Sequence, residues 1–198
     1  MQIDQILSLS IFIAVMSGTP GPNNVLLMAS GVNFGFRRTL PHVAGIVFGC
    51  QIMLLAAAAG LHQLLQVVPQ AMLALRVSGV LFLVYMAWML ASAGGTSREG
   101  AQAARPIGFW KAALFQWANP KVWLMCAGMV AAWVEPARLI ETTAYASLIF
   151  WLLSVPLLLA WVAGGTLLQG WLNDVRRLTR FNRCMAALLL LSVVGMVQ

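Results

Sequence analysis

Apolar residues in this chain run in long blocks separated by short polar gaps, rather than alternating or recurring at one face's spacing. Six blocks stand out, at residues 6–36, 41–61, 69–91, 108–133, 139–164 and 181–198, each near the ~20 residues that a membrane-crossing helix needs. Pro41, Pro69 and Pro136 fall at or near block starts, where a missing N–H costs little. The small, polar, glycine-containing stretch "ASAGGTSREGAQAARP" (91–106) is the clearest linker. It divides the chain into a first half (1–92), a linker (93–107) and a second half (108–198), with three blocks in each half.

Composition fixes the surroundings of these blocks. Of the 198 residues 61% are hydrophobic and 9% charged, too little charge to coat a water-soluble globule. The expectation is all-α: one polytopic membrane domain of six transmembrane helices in contact with the lipid bilayer. The net charge of +7 comes from basic residues at block ends rather than from an aromatic-interleaved patch, which argues against a nucleic-acid partner. Cys50, Cys126 and Cys184 show no CxxC spacing and read as packing residues; no metal site or cofactor is expected. Asp4 stands where a signal peptide would be basic, so the first block is expected to remain in the protein.

Two blocks are interrupted. The first contains "SGTPGPNNVLL" (17–27), in which Gly18, Pro20, Gly21, Pro22, Asn23 and Asn24 are all poor in a helix interior. The pieces on either side, about 16 Å and about 18 Å long, span a ~30 Å core only together, so the break falls near mid-membrane. Unpaired backbone groups there must face protein or a water-filled cavity. Thr19 or Asn23 is available to cap the second piece. The fourth block carries "QWANPKVW" (116–123), in which Asn119 and Pro120 read as N-cap and first residue of a restarted helix, followed by Lys121. A lysine at that depth must meet a cavity or an acceptor: it serves the substrate carboxylate or changes charge during a cycle, or it binds carbonyls freed by the other break. Three spans per half reverse the second half's direction, as an inverted repeat requires. "VLLMASG" (25–31) and "VWLMCAG" (122–128) agree at four of seven positions. Interrupted helices at corresponding places in two halves point to a transporter's binding site.

"PGPNN" in an interrupted first span, "RVSGVLFLVYMAWML" in the third and "NPK" in the fourth resemble the lysine exporter / homoserine-threonine exporter (LysE/RhtB) family of amino-acid efflux proteins. The likeness covers essentially the whole chain. It implies an inner-membrane exporter of amino acids or their derivatives, driven by the proton gradient and acting as a homo-oligomer, without choosing the substrate. The site residues expected from the two breaks are Pro20, Gly21, Pro22, Asn23, Asn24, Asn119, Pro120 and Lys121. Gln51 and Tyr85 either line the path or bond a neighbouring helix.

Other polar positions have plainer readings: Gly45 and Gly49 as close helix packing, Pro156 as a kink, Arg76 snorkelling at a span end and His62 in an outer loop. The five carboxylates lie at span ends or in loops, and no span holds a carboxylate dyad, a metal cluster or a nucleophile with a base, which argues against an enzyme. Export of a cation or another small metabolite, or a purely structural role, are the alternatives. The gaps after spans one, three and five hold Arg37, Arg38, Arg98, Arg105, Lys111, Arg176, Arg177, Arg180 and Arg183, nine of the twelve basic residues, so that side is cytoplasmic and both termini are external. A reporter fused near Gln102 should behave as cytoplasmic and one after Gln198 as external; the reverse pattern refutes this orientation.

Overall fold

The computed structural model describes residues 2–60, 69–92 and 106–197, and every described element is helical. Helices α1 (Ile3–Gly18) and α2 (Pro22–Phe34) form the first broken span, bent by 54° at residues 19–21. α3 (Phe36–Ala58) and α4 (Pro69–Ser92) follow. The second half opens with α5 (Phe109–Ala118) and α6 (Pro120–Trp133), which meet at Asn119. A short 3-10 turn, Pro136–Arg138, leads into α7 (Leu139–Leu168), and another, Trp171–Asn173, into α8 (Val175–Val197).

Helix is found in each of the six expected blocks, with shifted ends. α3 begins at Phe36, so Pro41 sits inside it rather than at its start. The start is set by Gly35, whose φ of +80° suits glycine and turns the chain directly out of α2. The last helix begins at Val175, earlier than residue 181, because Asp174 Oδ1 accepts from the N–H groups of Arg176 and Arg177 and caps it. α7 runs unbroken through Pro156. His62, most of the linker and the side chain of Arg76 lie outside the described residues.

Among the described residues, Phe36–Ala58, Leu73–Ser92 and Pro136–Leu168 are each long and apolar enough to cross a membrane, and the bent α1–α2 pair passes together as a fourth. α5 and α6, with 10 and 14 residues, are each too short alone, and α8 opens on Arg176, Arg177, Arg180 and Arg183. Large apolar side chains such as Leu124, Leu152 and Leu167 are exposed on the outside, a surface suited to lipid.

The interior forms two clusters. The larger joins α1, α2, α3, α5, α6 and α7 through residues such as Leu9, Leu27, Ile46, Met129 and Val162; the smaller joins α2, α4, α5 and α8 around Leu26, Leu83, Phe115 and Leu189. α3 packs against both α5 and α6, and α7 against both α1 and α2. Small residues let these helices touch at the backbone. A Cβ on Gly45 or Gly49 of α3 would collide with the carbonyl oxygen of Phe109 or Ala113 on α5. One on Gly31 of α2 would meet Val162 O of α7, and one on Gly165 of α7 would meet Met28 O of α2. Lipid supplies no hydrophobic drive to helix association, so such close contacts carry the packing. Gly49→Val should therefore destabilise the detergent-solubilised protein by about 1–3 kcal/mol. Gly18→Ala, where an added Cβ meets nothing within 4 Å, should be neutral or slightly stabilising; equal melting losses for the two would refute this account.

Candidate functional site

Each break frees backbone groups, and the other elements supply partners for them. Pro20 and Pro22 have no N–H, and the last turn of α1 is left with carbonyls that its own helix does not satisfy. Asn24, 3% exposed, spends both hydrogens of its Nδ2 there, donating to Ser17 O (2.7 Å) and Thr19 O (2.8 Å). Lys121 reaches across from α6, its Nζ donating to Thr19 O (2.8 Å), Thr19 Oγ1 (2.9 Å) and Pro20 O (3.4 Å). Of the two sequence readings of Lys121, this geometry is that of an ammonium bound to carbonyls freed by the opposite break. Gly21 leaves it room, since a Cβ there would come within 2.9 Å of the lysine's Cδ.

The second break is capped as its sequence indicated. Asn119, 1% exposed, takes the N–H of Lys121 on Oδ1 (3.1 Å), and Pro120 occupies the first position of α6. The first break differs from expectation. α2 is preceded by Gly21 and no side chain caps it; Thr19 instead donates to Val15 O, and Asn23 lies inside the helix. Thr19 is held by its own helix and by Lys121, and Asn23 is drawn to the facing helix. The first-turn N–H groups of α2, at Asn23 and Asn24, consequently lack a side-chain cap.

A reciprocal amide pair latches the two breaks together. Asn23 Nδ2 donates to Gln116 Oε1 (2.7 Å), Gln116 Nε2 donates back to Asn23 Oδ1 (3.2 Å), and the remaining Gln116 hydrogen goes to Ala112 O (2.7 Å). Cys50 Sγ also lies 3.6 Å from Gln116 Oε1, and Ser17 Oγ and Ser154 Oγ share a hydrogen bond of 2.9 Å between α1 and α7. Beside these groups is a cavity of about 40 Å³, room for a few waters. Gly21, Asn23, Asn24, Asn119 and Lys121 line it, with Ser17, Cys50 and Ser154, and Ile46, Val122, Met125, Phe150 and Leu158 form its apolar wall.

The structure thus gathers five of the expected residues around one cavity. Pro20 contributes a carbonyl, while Pro22 and Pro120 start the two half-helices. Gln51 and Tyr85 are elsewhere. Gln51 donates to Ser147 Oγ (2.6 Å) and lines an outer groove between α3 and α7, together with Trp151 and Pro156. Tyr85 is half exposed on α4, near Trp88. Gln116, Ser17 and Ser154 were not singled out in the sequence, and Cys50 was read there as a packing residue. Gln116 carried a usable signal: an amide in an apolar span, three residues before Asn119. Among the described residues no three His, Cys, Asp or Glu side chains cluster as metal ligands would.

Comparison with known proteins identifies a family for the chain. Residues 14–197 match the family model described as "LysE type translocator". The chain is 31% identical over 185 residues to the cysteine/O-acetylserine efflux protein of Escherichia coli O139:H28 (strain E24377A / ETEC), covering 89% of each chain. It is 33% identical over 144 residues to the protein of that name from Escherichia coli strain K12, covering 73% of this chain and 69% of the relative. No solved structure matches it. If the Asn23–Gln116 pair latches the breaks, a double-mutant cycle with Asn23→Leu and Gln116→Leu should give a coupling of about 0.6–1.7 kcal/mol in detergent melts. Strict additivity would show that the two amides do not act together.

Proposed function

The chain belongs to the LysE-type translocator family, and from that premise we propose that it exports amino acids or their close derivatives across the bacterial cytoplasmic membrane in exchange for protons. The observation that carries this reading is the Lys121 ammonium on the Thr19 and Pro20 carbonyls at the edge of the cavity. An amino acid brings the same chemistry in mobile form. Its ammonium replaces the lysine on the freed carbonyls, and its carboxylate takes the released Nζ together with the uncapped N–H groups of Asn23 and Asn24 at the positive end of α2. The apolar wall formed by Ile46, Val122, Met125, Phe150 and Leu158 receives the side chain.

A cavity of about 40 Å³ is too small for an amino acid, so loading requires the two breaks to part. The Asn23–Gln116 latch is the contact that opens. We read the chain as six spans in two inverted halves, with α5 and α6 as one broken span and α8 as the sixth. The reciprocal packing of α3 and α7 on the opposite half's broken helices supports this. Rocking of one half against the other then exposes the site to each side in turn. The site lining carries no carboxylate, and its polar groups are small and neutral apart from Lys121, which favours substrates with uncharged side chains, such as those named for the efflux relatives.

Reconstituted protein should exchange labelled L-cysteine or O-acetyl-L-serine for unlabelled substrate and should ignore divalent metals. Lys121→Met should lower exchange at least ~10-fold, a loss of about 1.4 kcal/mol or more of substrate stabilisation, and should also lower the thermal midpoint, because the Thr19 and Pro20 carbonyls lose a donor. Pro156→Ala, away from the cavity, should exchange within about twofold of wild type, a difference under ~0.5 kcal/mol. Normal exchange by Lys121→Met, or metal transport in place of amino-acid exchange, overturns the proposal.

A further inference from the structure

His42 is 1% exposed in the second turn of α3, and its Nδ1 is buried without a hydrogen-bond partner. Buried polar atoms in native proteins are nearly always paired, and ionisable groups within membrane spans are kept for function more often than for packing. His42 also falls in line with the site. His42, Ile46 and Cys50 follow one another at four-residue intervals on the buried face of α3, and the last two line the cavity. One helical turn, about 6 Å, separates His42 from Ile46 on the side toward Arg37 and Arg38.

The other groups able to carry a proton are committed or remote. Among the described residues the carboxylates are Asp4, Glu135, Glu141 and Asp174, all exposed at helix ends. α3 packs against α2, α5, α6 and α7. α2 has no titratable side chain; α5 has Lys111, which is exposed; α6 has Lys121, bound to Thr19 and Pro20, and Cys126, whose Sγ lies 3.8 Å from Cys50 O. α7 has Glu141, paired with Arg138, and the exposed Tyr145. On α3 itself are Arg37 and Arg38, exposed or half-exposed at its start, and Cys50 at the cavity. Among the described residues, no anion stands beside His42 to hold it permanently charged.

We propose that His42 is the proton-binding site of the transport cycle, an inference that rests on the proton-exchange reading above. In the Nε2–H tautomer the Nδ1 lone pair accepts one proton arriving through the cavity, giving imidazolium; the same proton then leaves from Nδ1 toward the basic, cytoplasmic end of α3. Imidazole is the side chain whose unperturbed range suits loading and release near neutrality. The imidazolium on α3 and a substrate ammonium on the Thr19 and Pro20 carbonyls are like charges within a low-dielectric interior, so each disfavours the other. Alternate occupancy by proton and substrate is what exchange in opposite directions requires.

The test uses reconstituted full-length protein with L-cysteine kept reduced. Wild type should exchange labelled for unlabelled L-cysteine at equal pH, and vesicles acidic inside should accumulate it up to about tenfold per pH unit for one-for-one exchange. His42→Gln should keep the exchange and lose the accumulation. Accumulation by His42→Gln equal to wild type overturns the inference and leaves the export reading intact. Absence of exchange in wild type removes both. A second measurement is independent of substrate and of the His42 variant: 15N spectra of histidine-labelled His62→Gln protein, in which His42 is the one remaining of the two histidines. Conversion of its signal from imidazole to imidazolium between about pH 5 and 8 supports the site. A His42 signal that stays neutral throughout overturns it, even if His42→Gln fails to fold.

Discussion

Every feature of the site follows from one constraint: a backbone polar group inside a bilayer must find its partner within the protein. A continuous helix meets the constraint automatically. A helix broken at Pro20–Pro22 does not, and its loose carbonyls need donors from elsewhere. Asn24 supplies two hydrogens from the following turn, and Lys121 supplies the rest from the opposite break. The second break keeps its own accounts through Asn119 and returns a side chain to the first. The second interruption therefore stabilises the first by supplying donors to its carbonyls.

Close packing makes that exchange possible. Gly45 and Gly49 bring α3 against α5 at backbone contact, and Gly31 with Gly165 does the same for α2 and α7. Each half thus grips a broken helix of the other, which leaves the two breaks facing across a small gap. Besides the Lys121 ammonium on Thr19 and Pro20, the contacts across it include hydrogen bonds between neutral groups, Asn23 with Gln116 and Ser17 with Ser154. Such bonds are worth little each in a membrane setting, on average about 0.6 kcal/mol. They close the site without locking it, a property suited to a transporter that must open on both sides.

The charges near the cavity also explain the chemistry. One ammonium already rests on carbonyls that a substrate's ammonium can take, and the helix start beside it has N–H groups without a side-chain cap. In the proposed cycle a zwitterion would satisfy both ends while the displaced lysine joins its carboxylate. Without a fixed anion in the lining, nothing holds such a ligand so tightly that it cannot leave.

The sequence by itself determined the medium and the architecture's outline. Long apolar blocks with few charges are incompatible with water, and paired proline–asparagine interruptions in Asn23–Asn24 and Asn119–Pro120 marked where helices stop and restart, because proline and asparagine act through local backbone chemistry. The cap at Asn119 was legible for the same reason, as was the packing role of Gly45 and Gly49. What only the tertiary structure decided are contacts between residues far apart in the chain. Gln116 looked like one amide in an apolar span until α5 met Asn23; Gln51 and Tyr85 had the right polarity but turned to an outer groove and an outer face. His42 gave no local sign, and its importance comes from burial among neighbours that offer Nδ1 no partner. Local rules fix where the chain bends, whereas the side on which a polar group finds its partner depends on which helix packs against it, and that is set by the sum of many weak, non-local contacts.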